Sequence, residues 1–441
     1  MPRRYWVEPL GCPKNQVDSE KLVGTLQADG LVAAARPEAA DLVVVNTCAF
    51  IEAAREESIN TVLALADARG PDARLVVTGC LAERYGEELA RALPEADLVA
   101  GFGVPVNLLA NRTSRAPAAS ASALNTVGSA DETRPVPVLD LLNLPRPKSP
   151  VPWAYVKVAE GCDRRCGFCA IPSFRGKQRS RSMDAILAEI ESLDVQEVVL
   201  VAQDLASYGR DLGRYGDIVP LARTVARRVP RTRLLYRYPS ELTDGLIDVI
   251  GETGCPYFDL SLQHASKRHL RRMRRWGDAE RFLGRIKTIR SRYPEAAFRS
   301  SFIVGYPGET EEDHDQLLRF LAEAELDWAG FFAYSREDGT YAADLPDVVD
   351  DQLVAERLLE CSQLQDEITA RHRAGQVGET IEVLIDRPGI GRSHREAPEI
   401  DGIVRVRSRH GTAAAGLAPA GQFVTVRVTG AAGFDLEAEL V

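Results

Sequence analysis

Short β-branched runs alternate with helical periodicity through the first quarter of the chain. Leu42-Val43-Val44-Val45 and Leu75-Val76-Val77 read as strands, and Trp6-Val7-Glu8 is a weaker one. Each run leads into a cysteine, Cys12, Cys48 or Cys80, with helix-like sequence behind it. Asp18-Ser19-Glu20 predicts a cap for a periodic stretch from Lys21 to Ala28, and Ala53 to Ala68 forms a second helix pattern. Such alternation predicts a Rossmann-like parallel sheet whose functional crevice lies at the carboxyl ends of its strands. The three cysteines are therefore expected to converge.

The periodicity lapses over residues 113–150, where Ala-, Ser- and Pro-rich sequence predicts a linker, partly disordered. It resumes with strands predicted at Ala154 to Val158, Val198 to Ala202, Arg233 to Tyr238, Phe258 to Leu262 and Ala297 to Val304. Helical patterns intervene at Met183 to Ser192, Ile218 to Arg228 and Ala279 to Ser291. This predicts a larger α/β domain over 151–370, a full or partial (β/α) barrel. Three strand-like runs, Thr380 to Ile385, Gly402 to Val406 and Phe423 to Val428, predict a small antiparallel β-barrel over 371–441. Residues 1–112 complete an α/β multidomain chain.

A length of 441 residues suits about three domains at roughly 150 residues each. The formal charge of −10 gives no general drive toward nucleic-acid phosphates or anionic lipid. No uninterrupted apolar run approaches the roughly 20 residues of a membrane span, and no apolar segment follows the basic residues at the start of the chain. The expectation is a cytoplasmic protein with no membrane partner. In that reducing setting the eight cysteines read as metal ligands or buried thiols rather than disulfides.

Cys162, Cys166 and Cys169 have the spacing C-x3-C-x2-C directly after a predicted strand. Three thiolates on one tight loop can hold three irons of a 4Fe-4S cube and leave the fourth open to a substrate. The competing reading is a zinc loop, which needs a fourth ligand that no adjacent His or Cys supplies. For Cys12, Cys48 and Cys80 a second open cluster stands against three buried structural thiols. Cys255 and Cys361 lack such companions and read as core thiols.

The loop spacing, with Phe168 before the last cysteine, resembles that of the radical S-adenosylmethionine enzymes. Val201-Ala202-Gln203-Asp204 and the segment Arg299 to Thr310 also match that family. The resemblance implies an S-adenosylmethionine seat that includes Phe168, Gln203, Arg299, Gly305 and Pro307; a Gly/Pro turn at a strand end lets a ligand approach the backbone closely. With both cysteine triads, and with Leu10-Gly11-Cys12-Pro13-Lys14-Asn15, Asn46 to Ile51 and Leu262-Gln263-His264, essentially the whole chain resembles the methylthiotransferases, in the branch that modifies a ribosomal protein. Glu396 to Gly402 resembles the TRAM domain of that branch, whereas Ser261 stands where a proline is expected.

This resemblance implies two 4Fe-4S clusters, on Cys12, Cys48 and Cys80 and on the catalytic Cys162, Cys166 and Cys169. It also implies two S-adenosylmethionine molecules, one methylating a sulfur on the first cluster and one cleaved to a radical at the second. The implied target is the β-carbon of an aspartate in ribosomal small-subunit protein twelve, free or on the assembling ribosome. A flavodoxin or ferredoxin electron donor and a sulfur donor complete the partners. No side chain of ordinary pKa removes such a hydrogen readily, so the cofactors carry the hard chemistry. The rival functions are a tRNA adenosine methylthiotransferase and a noncatalytic iron-sulfur carrier.

Three further expectations concern surfaces. The basic stretch Lys267 to Trp276 reads either as an RNA contact or as a solvated helix face. His264 reads as a cofactor contact or as a hydrogen-bonded core histidine. Because residues 371–441 carry no net charge, Glu396, Glu399 and Asp401 are expected to oppose the basic side chains of a protein substrate.

Overall fold

The weak first strand and the two β-branched runs pair side by side. In order, the front region forms β1 (Arg4–Pro9), α1 (Pro13–Ala28), β2 (Val32–Ala33), β3 (Leu42–Thr47), α2 (Glu52–Ala68), β4 (Arg74–Gly79), α3 (Cys80–Ala92) and β5 (Leu98–Val99). The sheet is parallel throughout, in the order β2-β1-β3-β4-β5. β3 is buried along its whole length, as a strand covered by helices on both faces must be. The structure is a computed structural model that describes residues 2–106, 140–408 and 418–441.

Helix α1 begins earlier than its sequence predicts. Pro13 occupies the first turn and Cys12 is the N-cap, so Asp18 and Ser19 lie inside the helix, buried, instead of capping it. Proline's fixed φ and missing N–H suit that first position. Lys14, Asn15 and Asp18 are buried polar residues, and their polarity hid the helix from a hydrophobic pattern. Of the predicted linker, residues 113–139 lie outside the described residues. The next ones pack on α1, where the Leu142 carbonyl accepts from Lys21 Nζ at 2.6 Å and Arg146 pairs with Glu20.

The chain divides into two units. One holds Met1–Lys148, Glu160–Asp163 and Ala170–Arg181; the other holds Ser149–Ala159, Arg164–Cys169 and Ser182–Val441. The second opens with β6 (Trp153–Lys157). Around the cysteine loop the chain then forms β7 (Ala159–Glu160), α4 (Ile171–Arg175) and β8 (Arg179–Ser180).

There follow α5 (Met183–Leu193), β9 (Glu197–Val201), α6 (Ile218–Ala226), β10 (Arg231–Leu234), α7 (Asp244–Glu252), β11 (Tyr257–Gln263), α8 (Lys267–Arg272), α9 (Ala279–Arg292), β12 (Ala297–Val304), α10 (Glu311–Ala324), β13 (Trp328–Ala333) and α11 (Asp351–Gly375). Strands β6, β9 and β10 form one parallel sheet, and β11, β12 and β13 another. A single parallel bridge between Arg237 and Leu260 joins them, giving a partial barrel of six strands in chain order. The sequence pattern misses β13, whose Ala329, Gly330 and Ala333 have low strand propensity.

The tail closes into a barrel of β14 (Thr380–Arg387), β15 (Ile390–Arg392), β16 (Val404–Arg407), β17 (Phe423–Ala432) and β18 (Asp435–Leu440). Its pairs are antiparallel except β16 with β18, which is parallel. Val404, Val406, Val426, Val428, Leu436 and Ala438 fill its interior, each two residues from the next along its strand as the pleat requires.

Two of the three acidic side chains of the tail, Glu396 and Asp401, turn inward instead of opposing a partner. Glu396 is fully buried, paired with Arg373 and accepting from the Ser393 amide at 2.7 Å. Asp401 accepts from Tyr257 Oη at 2.6 Å and lies 3.6 Å from Arg299; of the three carboxylates, Glu399 is the exposed one. Buried Glu197 on β9 meets Arg233 of β10 at 2.9 Å and Arg392 of the small barrel at 2.8 Å. The segment 392–401 is thus a seat that locks the small barrel onto the partial barrel. Burying carboxylates requires paired cations, and Arg233 of β10, Arg299 of β12, Arg373 of α11 and Arg392 of β15 supply them.

Candidate active site

In the front sheet, the order β2-β1-β3 reverses the winding between β1 and β3, the place where open parallel sheets take their ligands, at the strand ends. Cys12 follows β1, Cys48 follows β3, and Cys80 begins α3 after β4. Two glycines permit the approach. Gly11 has φ +88°, and a Cβ on it would stand 2.8 Å from Cys48 Sγ. Gly79 has φ +93°, and a Cβ there would stand 2.3 Å from Asn46 Oδ1. Only glycine meets both demands.

Asn15 ties the three strand ends together. Fully buried, its amide donates to the carbonyls of Leu10 at 2.8 Å, Thr47 at 3.0 Å and Asn46 at 3.3 Å, and its Oδ1 lies 3.7 Å from Cys80 Sγ. Asn46 returns a bond from Nδ2 to the Asn15 carbonyl at 2.9 Å. The Cys48 amide is held by Ser58 Oγ at 3.0 Å.

The three sulfurs differ in electrostatics. Burial works to raise the Cys12 thiol, yet Lys14, Arg175 and the amides of Asn15 and Lys14 outweigh it and hold it below the ordinary value. Cys48 is pushed up to about 12 by burial and by Cys12 and Cys80. Cys80 is also raised by burial, against the pull of Arg175. Burial keeps Cys48 and Cys80 as thiols, and a metal cation bound there would favour their thiolate forms. A single tetrahedral zinc would draw its sulfurs to roughly 3.8 Å of each other, from Zn–S of ~2.3 Å. Among the described residues, the one group of three whose ligand atoms fall within 4.8 Å is His264, His269 and Glu309.

On the cysteine loop, the Cys162 amide donates to the Gly176 carbonyl at 3.0 Å. In the second unit, the Gly167 amide donates to Met273 O at 2.8 Å and the Gly167 carbonyl accepts from Ala342 at 2.8 Å. Arg275 Nη1 approaches Cys166 Sγ at 3.3 Å. Phe168 packs against the large core. Arg164, two residues before Cys166, pairs with Asp204 at 2.6 Å and Glu241 at 3.0 Å.

Known families and relatives share this arrangement of domains. Residues 4–101 match uncharacterized protein family UPF0004, 156–321 match the radical SAM superfamily, and 377–441 match the TRAM domain. A protein of Moorella thermoacetica named ribosomal protein uS12 methylthiotransferase RimO is 43% identical over 438 residues, 97% of this chain and 96% of its own length. Proteins of the same name from Kineococcus radiotolerans and Streptomyces avermitilis are 40% and 42% identical, over 98% and 100% of this chain and 96% and 97% of theirs. The chain belongs to the RimO family. It is a radical S-adenosylmethionine methylthiotransferase with a C-terminal TRAM domain.

In this RimO-family chain the residues implied as cofactor contacts are spread over several strand ends. Gln203 follows β9, and Gly305 and the buried Pro307 lie in the turn after β12, where the Gly305 amide donates to Glu309 Oε2 at 2.7 Å. Arg299, within β12, is engaged elsewhere: its guanidinium lies 3.1 Å from Asp259 and 3.6 Å from Asp401. Ser261, at the position where proline was expected, donates its amide to Arg237 O at 3.0 Å, a bond proline could not make.

His264 is a core histidine. The Ser266 amide donates to its Nδ1 at 3.0 Å, which leaves the ring proton on Nε2 and no lone pair there for a metal. Burial lowers His264 and brings His269 down to about 4, so both rings are neutral at pH 7. The basic stretch divides between interior and solvent. His269, Leu270, Met273 and Arg275 are buried, while Lys267, Arg271 and Arg274 are exposed.

Sequence reasoning overlooked Asn15, Arg175 and Arg275 as parts of the cysteine sites. Asn15 stands in the first cysteine motif and Arg175 six residues after Cys169, but nothing in spacing tells which sulfur an arginine will meet.

Proposed function

We propose that the chain transfers a methylthio group to the β-carbon of an aspartate in ribosomal protein uS12, using two 4Fe-4S clusters and two molecules of S-adenosylmethionine. The observation that carries this reading is the convergence of Cys12, Cys48 and Cys80 at the front sheet's switch point. It gives a second cysteine triad to a chain whose relatives are named uS12 methylthiotransferases. When bound, the clusters and S-adenosylmethionine supply the electron and the radical that open an unactivated C–H bond. Cys162, Cys166 and Cys169 hold one cluster with an open iron; Phe168, Gln203, Gly305 and Pro307 shape the S-adenosylmethionine seat, and Arg299 braces the strand beneath it. Cys12, Cys48 and Cys80 hold the cluster that carries the sulfur to be transferred.

A flavodoxin or ferredoxin supplies electrons, a separate donor supplies sulfur, and the reaction is cytoplasmic. No helix among the described residues is long and apolar enough to cross a membrane. Domains over 1–112, 151–370 and 371–441 divide the work. The test is mass spectrometry of uS12 and of total tRNA from a deletion strain. Loss of a methylthio group from uS12 alone supports the reading; loss from tRNA adenosine replaces it with the tRNA activity. Purified protein that forms no 5′-deoxyadenosine from S-adenosylmethionine and a reductant is an iron-sulfur carrier instead.

A further inference from the structure

Arg175 closes α4, and its side chain is almost wholly buried in the front unit. Its guanidinium is held on several sides. Nη1 meets Glu160 Oε1 at 2.9 Å and Asp18 Oδ2 at 3.2 Å, and Phe102 covers one face with its ring centre 4.7 Å away. The other terminal nitrogen, Nη2, donates to Asn15 Oδ1 at 2.9 Å and to Cys80 Sγ at 3.0 Å. Both N–H bonds of Nη2 are thereby directed, one at the amide that ties the strand ends and one at a sulfur. Taking a guanidinium out of water costs several kcal/mol. The two carboxylates offset that cost and fix the plane of the fork, but neither accepts from Nη2.

The charge of Arg175 acts on all three sulfurs and works to lower each of them. The direct bond, however, goes to one sulfur, that of Cys80. A hydrogen bond and a positive charge on a ligand sulfur stabilise the more negative, reduced state of an iron-sulfur cluster.

We propose that Arg175 is a positioning residue that raises the reduction potential of the cluster on Cys12, Cys48 and Cys80 through its bond to Cys80. This rests on the proposed assignment of that triad as cluster ligands. Arg175 comes from the segment directly behind the C-x3-C-x2-C loop and not from the front domain's own strands. Its role is invisible to any search confined to the front domain.

The experiment uses the full chain, anaerobically reconstituted, with Cys162, Cys166 and Cys169 replaced by Ala so that the front cluster is observed alone. Iron is counted, and the midpoint potential is read by electron paramagnetic resonance during a redox titration. Arg175→Gln should keep the iron and lower the potential by about 59 mV, a tenfold change in the reduced-to-oxidised ratio of a one-electron couple. Arg175→Lys keeps the charge beside Asp18 and Glu160 but loses the fork, and should move it less in the same direction. An unchanged potential in an iron-loaded Gln variant overturns the proposal. If that variant does not fold, the Lys variant decides on the same criterion. If the Cys162/Cys166/Cys169 background holds no iron at all, the assignment of the front cluster fails, an outcome distinct from an unchanged potential.

Discussion

Arg275 Nη1 lies 3.3 Å from Cys166 Sγ while its guanidinium stacks 4.0 Å from the centre of the Tyr238 ring. Arg164 lies over the same ring at 4.1 Å, and the carboxylates of Asp204 and Glu241 hold it there. Tyr238 is thus flanked by two arginines, one of which ends on Cys166, a proposed cluster ligand. Outer-shell partners of metal ligands typically cost 10–100-fold in affinity or activity when lost. Arg275→Leu is therefore expected to slow reductive cleavage of S-adenosylmethionine by about tenfold or more, with Arg275→Lys intermediate. Product 5′-deoxyadenosine, measured by chromatography against iron content, checks it.

The two triads should separate cleanly in function. Replacing Cys162, Cys166 and Cys169 with Ala is expected to abolish 5′-deoxyadenosine formation and to remove about four of about eight irons. Replacing Cys12, Cys48 and Cys80 should remove a similar amount of iron, spare S-adenosylmethionine cleavage and eliminate methylthiolated product. Wild-type product from the second variant would show that the front triad does not carry the sulfur.

Asn15→Leu keeps the size of a buried side chain but strips donors from the Leu10 and Thr47 carbonyls, while the Asn46 carbonyl keeps the Leu10 amide at 3.0 Å. Buried acceptors left unpaired cost about 1–3 kcal/mol each. The variant should lose front-cluster iron faster to a chelator than the wild-type protein, while the other cluster's iron is retained. Equal loss from both would place the effect on global folding.

The seat of the small barrel should depend on acid in a defined direction. Burial alone would raise Glu197 and Glu396, but Arg392, Arg233 and Arg231 around the first, and Arg373 and Ser393 around the second, bring both down to about 2. Their folded values lie below the ordinary 4.5, so their stabilisation is present above that pH and is lost as pH falls toward 2. Asp401 runs the other way. Burial raises it to about 6 from 3.8, and its contribution fades as pH rises through that interval. Thermal denaturation from pH 2 to 7 should show the seat weakening below about pH 4.5.

Glu197→Gln leaves Arg233 buried without its counter-charge, while Arg392 keeps Asp386 at 2.7 Å, and is expected to cost about 3–5 kcal/mol. Exposed Glu399→Gln should cost less than Glu197→Gln. Urea unfolding of the two variants distinguishes a docking role for the acidic segment from a surface role.

The sequence by itself determined the parts of this protein that depend on local pattern. The β-branched runs at Leu42 and Leu75 became central strands because apolar side chains on both faces can be satisfied only under helices. The strand over Ala297–Val304 has the predicted limits, and the spacing of Cys162, Cys166 and Cys169 needs no fold to be read. Cys12, Cys48 and Cys80 could be expected to meet because parallel strands bring their carboxyl ends to one edge. Tertiary structure alone decided which charges would neutralise which. Arg175 finds Cys80 and Asp18 from far along the chain, and Glu197 gathers Arg233 from the next strand and Arg392 from the small barrel. In sequence these are charged residues that belong on a surface. Burial makes an unpaired charge prohibitive, and only the folded chain shows which opposite charge comes within reach to balance it.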